Sequence, residues 1–145
     1  MIPEFKDCLK KQKLKIFSRG KALVSKELKT AEEDLKTAKV SFKNENYKWA
    51  TIQCYYSMFH SARALLYSKN YRERSHYCLI VALRVFYGEK GLLSSDLIEG
   101  LQRAKTLREN ADYYDQWSKP AAEALLNSAS KFLVISTKLL KSVPA

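Results

Sequence analysis

Apolar positions recur at helical spacing along most of this chain. Within residues 25–43, Leu28, Ala31, Leu35, Ala38 and Phe42 step by 3, 4, 3 and 4, and Lys and Glu cover the opposite face. That pattern predicts a first strong helix, with Asn44-Glu45-Asn46 as the turn that ends it. A second helix, over residues 47–68, carries three stripes. Trp49, Ile52, Tyr56, Phe59 and Leu66 form an apolar stripe. Ala50, Cys54, Ser57, Ser61 and Ala64 are small and let another helix approach closely. Gln53, Tyr56, His60, Arg63 and Tyr67 form a polar stripe. A helix with so little solvated surface belongs at the centre of a bundle, contacted on most sides, with a second subunit among the candidate neighbours.

Three further helices complete the pattern. Ser75 is a good N-cap for a helix over 75–87, closed by Gly88-Glu89-Lys90-Gly91. Ser94 or Ser95 caps a fourth, with Asp96 and Glu99 in its first turn and Leu97, Leu101, Ala104 and Leu107 as its stripe. A fifth begins near Ser118-Lys119-Pro120 and buries Ala121, Leu125, Ser128, Phe132, Leu133, Ser136 and Leu139 or Leu140. Residues 69–74 read as a loop. The expected fold is all-α, an antiparallel bundle of about five helices around the second. Residues 1–24 form a basic N-terminal extension, in which Leu9, Leu14, Ile16 and Phe17 support a short docking helix ended by Gly20; residues 25–145 form the bundle.

Composition agrees. Only 4 glycines and 3 prolines punctuate 145 residues, too few for the many turns of a sandwich or barrel. The balance of 26 basic against 15 acidic residues, net +11, makes an anionic partner the first suspect, although seven basic residues fall in the first 21 positions. The longest apolar run, 79–83, is far short of a membrane span, and the first seven residues carry Glu4 and Asp7 and lack the apolar stretch of a signal peptide. Cys8, Cys54 and Cys78 are odd in number and scattered. They read as free thiols in a reducing cytoplasm, with neither a zinc site nor a disulfide framework, and Cys54 and Cys78 as small core residues.

Two histidines, His60 and His76, leave few arrangements for imidazole catalysis, and no phosphate-cradling glycine loop or metalloprotease motif is present. No metal or cofactor is expected. Arg108 falls at the edge of the fourth helix's stripe with Asp112 at i+4, within ion-pair reach. It is either a structural pair or an arginine aimed into a cleft to grip a phosphate. Arg63, with the polar stripe around it, is hard to bury without a wet cleft or an interface. Arg72-Glu73-Arg74-Ser75-His76 marks a helix start with two arginines, either a plain cap or an anion site.

Tyr55-Tyr56-Ser57-Met58-Phe59-His60-Ser61-Ala62-Arg63, then Ser75-His76, then Arg108-Glu109-Asn110-Ala111-Asp112-Tyr113 resemble, in order and spacing, the HEPN (higher eukaryotes and prokaryotes nucleotide-binding) family over about 26–140. The resemblance implies a dimeric helical bundle with a polar cleft near the dimer interface. It implies either nucleotide binding or metal-independent ribonuclease action through an Arg, four to six residues, then His. It also implies a minimal nucleotidyltransferase partner, often in a toxin–antitoxin pair. Arg108 matches the family arginine, but the histidine falls on Tyr113, and tyrosine, with a pKa near 10, is a poor proton shuttle at neutral pH.

The function these residues support first is a cytoplasmic homodimer holding a nucleotide or RNA phosphate in a basic cleft. Arg108, Arg63 and Arg74 would grip phosphate, Tyr56 or Tyr113 would stack on a base, and Asp112, His60 and His76 would complete the site. The alternatives are a ribonuclease using Arg108 with His76, and a structural interaction protein without ligand. Tyr113 and Tyr114 are candidates for modification by the partner, as in some related toxins, although neither stands at the tyrosine position of that motif.

Overall fold

The computed structural model describes residues 2–141; Met1 and residues 142–145, the end of the expected bundle range, lie outside the described residues. Among the described residues the helices are α1 (Pro3–Lys10), α2 (Gly20–Lys43), α3 (Tyr47–Tyr67), α4 (His76–Leu83), α5 (Ser95–Tyr113) and α6 (Lys119–Lys141). Two three-residue strands, β1 (Leu14–Ile16) and β2 (Tyr71–Glu73), pair antiparallel with Leu14 opposite Glu73 and Ile16 opposite Tyr71. The fold is an all-α bundle, and α3 is its axis: it touches α2, α4, α5, α6 and β2.

The small stripe of α3 explains that position. Ala50, Cys54, Ser57, Ser61 and Ala64 are all buried, so α2 lies close enough for the Ser57 hydroxyl to donate to the Ala31 carbonyl at 2.8 Å. Larger side chains there would hold the helices apart. Met58, Leu65 and Leu66 join Leu79, Leu83, Ile98, Leu101 and Phe132 in a continuous core.

Several expectations need correction. Gly20 does not end the lead-in; it opens α2, buried where an added Cβ would collide with the Tyr67 carbonyl. The loop expected at 69–74 contains β2, whose partner β1 comes from the lead-in, a long-range pairing that periodicity over three residues cannot reveal. The third helix is α-helical only to Leu83 and finishes as a wide π-turn, Arg84–Gly88. On α6 the buried positions include Ala122 and Ala129 where Ala121 and Ser128 were expected. Trp49, expected on the apolar stripe of α3, is exposed, while Ala50 and Thr51 beside it are buried.

The cysteines bring the largest correction. Cys8 and Cys78 are joined by a disulfide, with Cα atoms 5.8 Å apart, and only Cys54 is free. The argument from scattered thiols to a reducing compartment falls with it. The two positions are 70 residues apart in sequence. They meet because α1 docks on α4, with Phe5 edge-on to Tyr71 and Phe86 and the β1–β2 ladder alongside. A loop of this length confers about 4 kcal/mol in the chain-entropy account.

Thiol titration of the denatured protein should therefore find one reactive thiol before reduction and three after it, with a lower melting temperature for the reduced form. Three thiols without reductant would exclude the bridge.

Candidate functional site

The start of α5 is set by Ser94, whose hydroxyl accepts the Leu97 N–H at 3.2 Å, and by Asp96 in the first turn. From there Leu101, Ala104 and Ala111 face the core. Arg108, between the last two, emerges half-buried at the boundary with α3. Its guanidinium donates to the Tyr56 hydroxyl at 2.9 Å and to the Tyr113 hydroxyl at 3.3 Å, and lies 3.2 Å from the Asp112 carboxylate. It sits over the rings of Tyr55, Tyr56 and Tyr113 at 5.9, 5.4 and 5.1 Å. Desolvation opposes its charge, but the Tyr56 and Tyr113 oxygens and Asp112 more than compensate and hold its pKa above the ordinary value.

His76 joins this group from a third helix. Ser75 caps α4 as expected, accepting the Cys78 N–H at 3.1 Å, and so places His76 in the first turn. The His76 Nδ1 lies 3.4 Å from the Tyr55 hydroxyl, while its Nε2 is buried without a hydrogen-bond partner. Burial, aided by Lys105 and opposed by Glu109, pushes the imidazole down to about 4. Burial also pushes Tyr55 up to about 12, against the pull of Arg108. Near neutral pH, then, Tyr55 is a phenol and His76 an uncharged ring, with Arg108 the permanent charge beside them. As a proton shuttle at neutral pH His76 is poorly poised, and the charge available to an anion is that of Arg108.

The remaining candidates lie elsewhere. Arg63 makes a bidentate pair with Glu73, at 3.2 and 2.9 Å, approaches Glu27 at 3.8 Å and stacks 4.5 Å over Phe59. Glu73 is only 6% exposed, so this arginine neutralises a buried carboxylate. His60 belongs to the same network, its Nδ1 2.6 Å from Glu27 and its Nε2 3.9 Å from Asp34. Arg74 is exposed and joins neither group; its backbone N–H donates to the Lys13 carbonyl. Tyr114 is exposed at the end of α5. Of the sequence candidates, Arg108, Asp112, Tyr113, Tyr56 and His76 are brought together, and Arg63, His60 and Arg74 are not. Tyr55, which bridges Arg108 and His76, was not singled out; its place in the Tyr-Tyr pair beside Tyr56 was the available signal. Among the described residues no cluster of three His, Cys, Asp or Glu side chains could hold a metal ion, and no helix is long and apolar enough to cross a membrane.

Residues 24–139 match the HEPN domain. A Methanocaldococcus jannaschii protein named "Putative toxin" is 31% identical over 132 residues, covering 85% of this chain and 98% of that protein. A second from the same organism, also named "Putative toxin", is 30% identical and covers 90% of each. An Archaeoglobus fulgidus protein named "UPF0332 protein" is 33% identical over 108 residues, 73% of this chain and 86% of its own length.

Arg63→Ala should destabilise the fold by roughly 3 kcal/mol in urea unfolding, because Glu73 would stay buried unpaired. Adding Glu73→Gln should recover part of that loss; strict additivity would mean the pair does not interact. For His76 the folded pKa, about 4, lies below the unfolded value of about 6.5. Its contribution is therefore whole above pH about 6.5 and lost as pH falls through about 4. The melting temperature should drop more steeply across that window in the wild type than in His76→Gln; parallel curves would contradict it.

Proposed function

The chain belongs to the HEPN domain family, and from that premise we propose that it is the HEPN component of a toxin–antitoxin-like pair, binding a nucleotide or RNA phosphate at Arg108. One observation carries this reading: a permanently charged, half-buried guanidinium is held among Tyr56, Tyr113 and Asp112. Two of its three partners, Tyr113 and Asp112, are exposed side chains from its own helix end. A phosphate can displace them at little cost and take a bidentate grip, while Tyr56 keeps the guanidinium oriented. Arg63 lacks this property, since any ligand would have to compete with buried Glu73.

The toxin names of the two relatives support pairing with an antitoxin-type protein. A minimal nucleotidyltransferase is the proposed partner, and the proposed assembly is a homodimer with two Arg108 groups in one cleft. The module would act in the cytoplasm, where RNA is available. Residues 25–145 would form the binding bundle and residues 1–24 its extension. A second reading, a metal-independent ribonuclease, is favoured by one specific contact: His76 and Arg108 both touch Tyr55, so an imidazole lies one ring away from the arginine. Its low pKa weighs against it as a general acid at neutral pH.

The test is labelled single-stranded RNA and ATP presented to wild type, Arg108→Ala and His76→Ala in EDTA. Binding that weakens about tenfold or more in Arg108→Ala, with an intact fold and no cleavage, is the expected result. Unchanged affinity would overturn the phosphate site. Cleavage abolished in both variants would establish the ribonuclease.

A further inference from the structure

Among the described residues five large aromatic rings are strongly exposed, and four come from two segments that meet at one end of the molecule. These are Trp49 (47%), Tyr113 (63%), Tyr114 (68%) and Trp117 (45%). Lys48 ties the segments together: its ammonium is 3.2 Å from Asp115 and lies 5.9 Å from the Trp49 ring and 5.6 Å from the Trp117 ring. The loop after α5 is held in place. Asp115 takes a left-handed backbone conformation (φ 55°), and the Tyr114 and Gln116 N–H groups both donate to the Asn110 carbonyl. The same surface runs into the Arg108 group, because Tyr113 contacts Arg108, and Tyr56 stands seven residues, about 10 Å, along α3 from Trp49.

We propose that Trp49 and Trp117 form a stacking shelf for unpaired bases of single-stranded RNA whose phosphate is held at Arg108. The occupant follows from the chemistry of the surface. Segments 47–49 and 112–117 contain no aliphatic side chain, so the apolar surface they expose is made of rings. Exposed flat rings beside a cation suit nucleobases, which stack without sequence preference, and Lys48 and Arg108 supply positive charge for the phosphates. The inference rests on the phosphate reading above and extends it from a point of attachment to a strand.

Trp49 and Trp117 are the chain's two tryptophans, so its tryptophan fluorescence reports on the shelf directly. The probes are a single-stranded uridine decamer and, for charge without bases, inorganic tripolyphosphate. The decamer should quench the fluorescence saturably, and tripolyphosphate should compete for Arg108 without quenching. The variant Trp49→Ala with Trp117→Ala, checked for folding by circular dichroism, should bind labelled decamer about tenfold or more weakly. Trp49→Phe with Trp117→Phe should retain most of the affinity. Arg108-dependent decamer binding that neither quenches nor weakens in the alanine variant would overturn the shelf and leave the phosphate site standing. An absence of decamer binding by the wild type would overturn the shelf, and an absence of tripolyphosphate and ATP binding as well would overturn the phosphate site with it. Unchanged decamer affinity with a dimer that dissociates in the alanine variant would assign the rings to contact between copies and overturn the proposal.

Discussion

Everything in this molecule follows from the enclosure of α3. It is packed by α2, α4, α5, α6 and β2, so nearly every polar side chain it carries must find a partner inside the protein or at its edge. Gln53 accepts from the Ser41 hydroxyl at 2.7 Å, Ser57 donates to the Ala31 carbonyl, and His60 turns to Glu27. Arg63 turns to Glu73, and Tyr55 and Tyr56 turn to His76 and Arg108. The small stripe that makes the enclosure possible also sorts these polar groups onto two sides of the helix. One side meets α2 and β2, the other α4 and α5.

The two sides solve the same electrostatic problem differently. Glu73 is buried and Arg63 covers it, and neither could be spared without leaving the other charge uncompensated. Arg108 is held instead by the half-buried Tyr56 phenol and by the exposed Tyr113 and Asp112, and these last two return to solvent at little cost. An arginine of the first kind maintains a fold, and one of the second kind is available to a ligand. His76 reaches the second group but arrives without charge and with one nitrogen unpartnered, which suits a bystander of anion binding better than a proton carrier.

The N-terminal segment is integrated by three separate means. Phe5 fills an aromatic niche beside Tyr71 and Phe86, β1 extends β2, and Cys8 is bonded to Cys78. The last two act on the stretch between Tyr71 and Cys78, which also holds Glu73 and His76. The segment that carries much of the chain's basic charge thus braces the strand that anchors Arg63 and the helix that presents His76.

The number of helices, the central place of the second and the caps at Ser75 and Ser94 were legible in the sequence. Each depends on side chains three or four residues apart, and the chain settles those relations locally. The Arg108–Asp112 pair was legible for the same reason. What else holds that arginine was not, because Tyr56 lies 52 residues away. Arg63 looked equivalent to Arg108 until the β-ladder delivered Glu73, and Cys8 looked unpaired until α1 docked on α4. Trp49 fell on an apolar stripe by spacing alone, yet it lies outside the core. Periodicity states which face of an element turns inward; what that face meets depends on residues far away in sequence, which only the assembled bundle brings near.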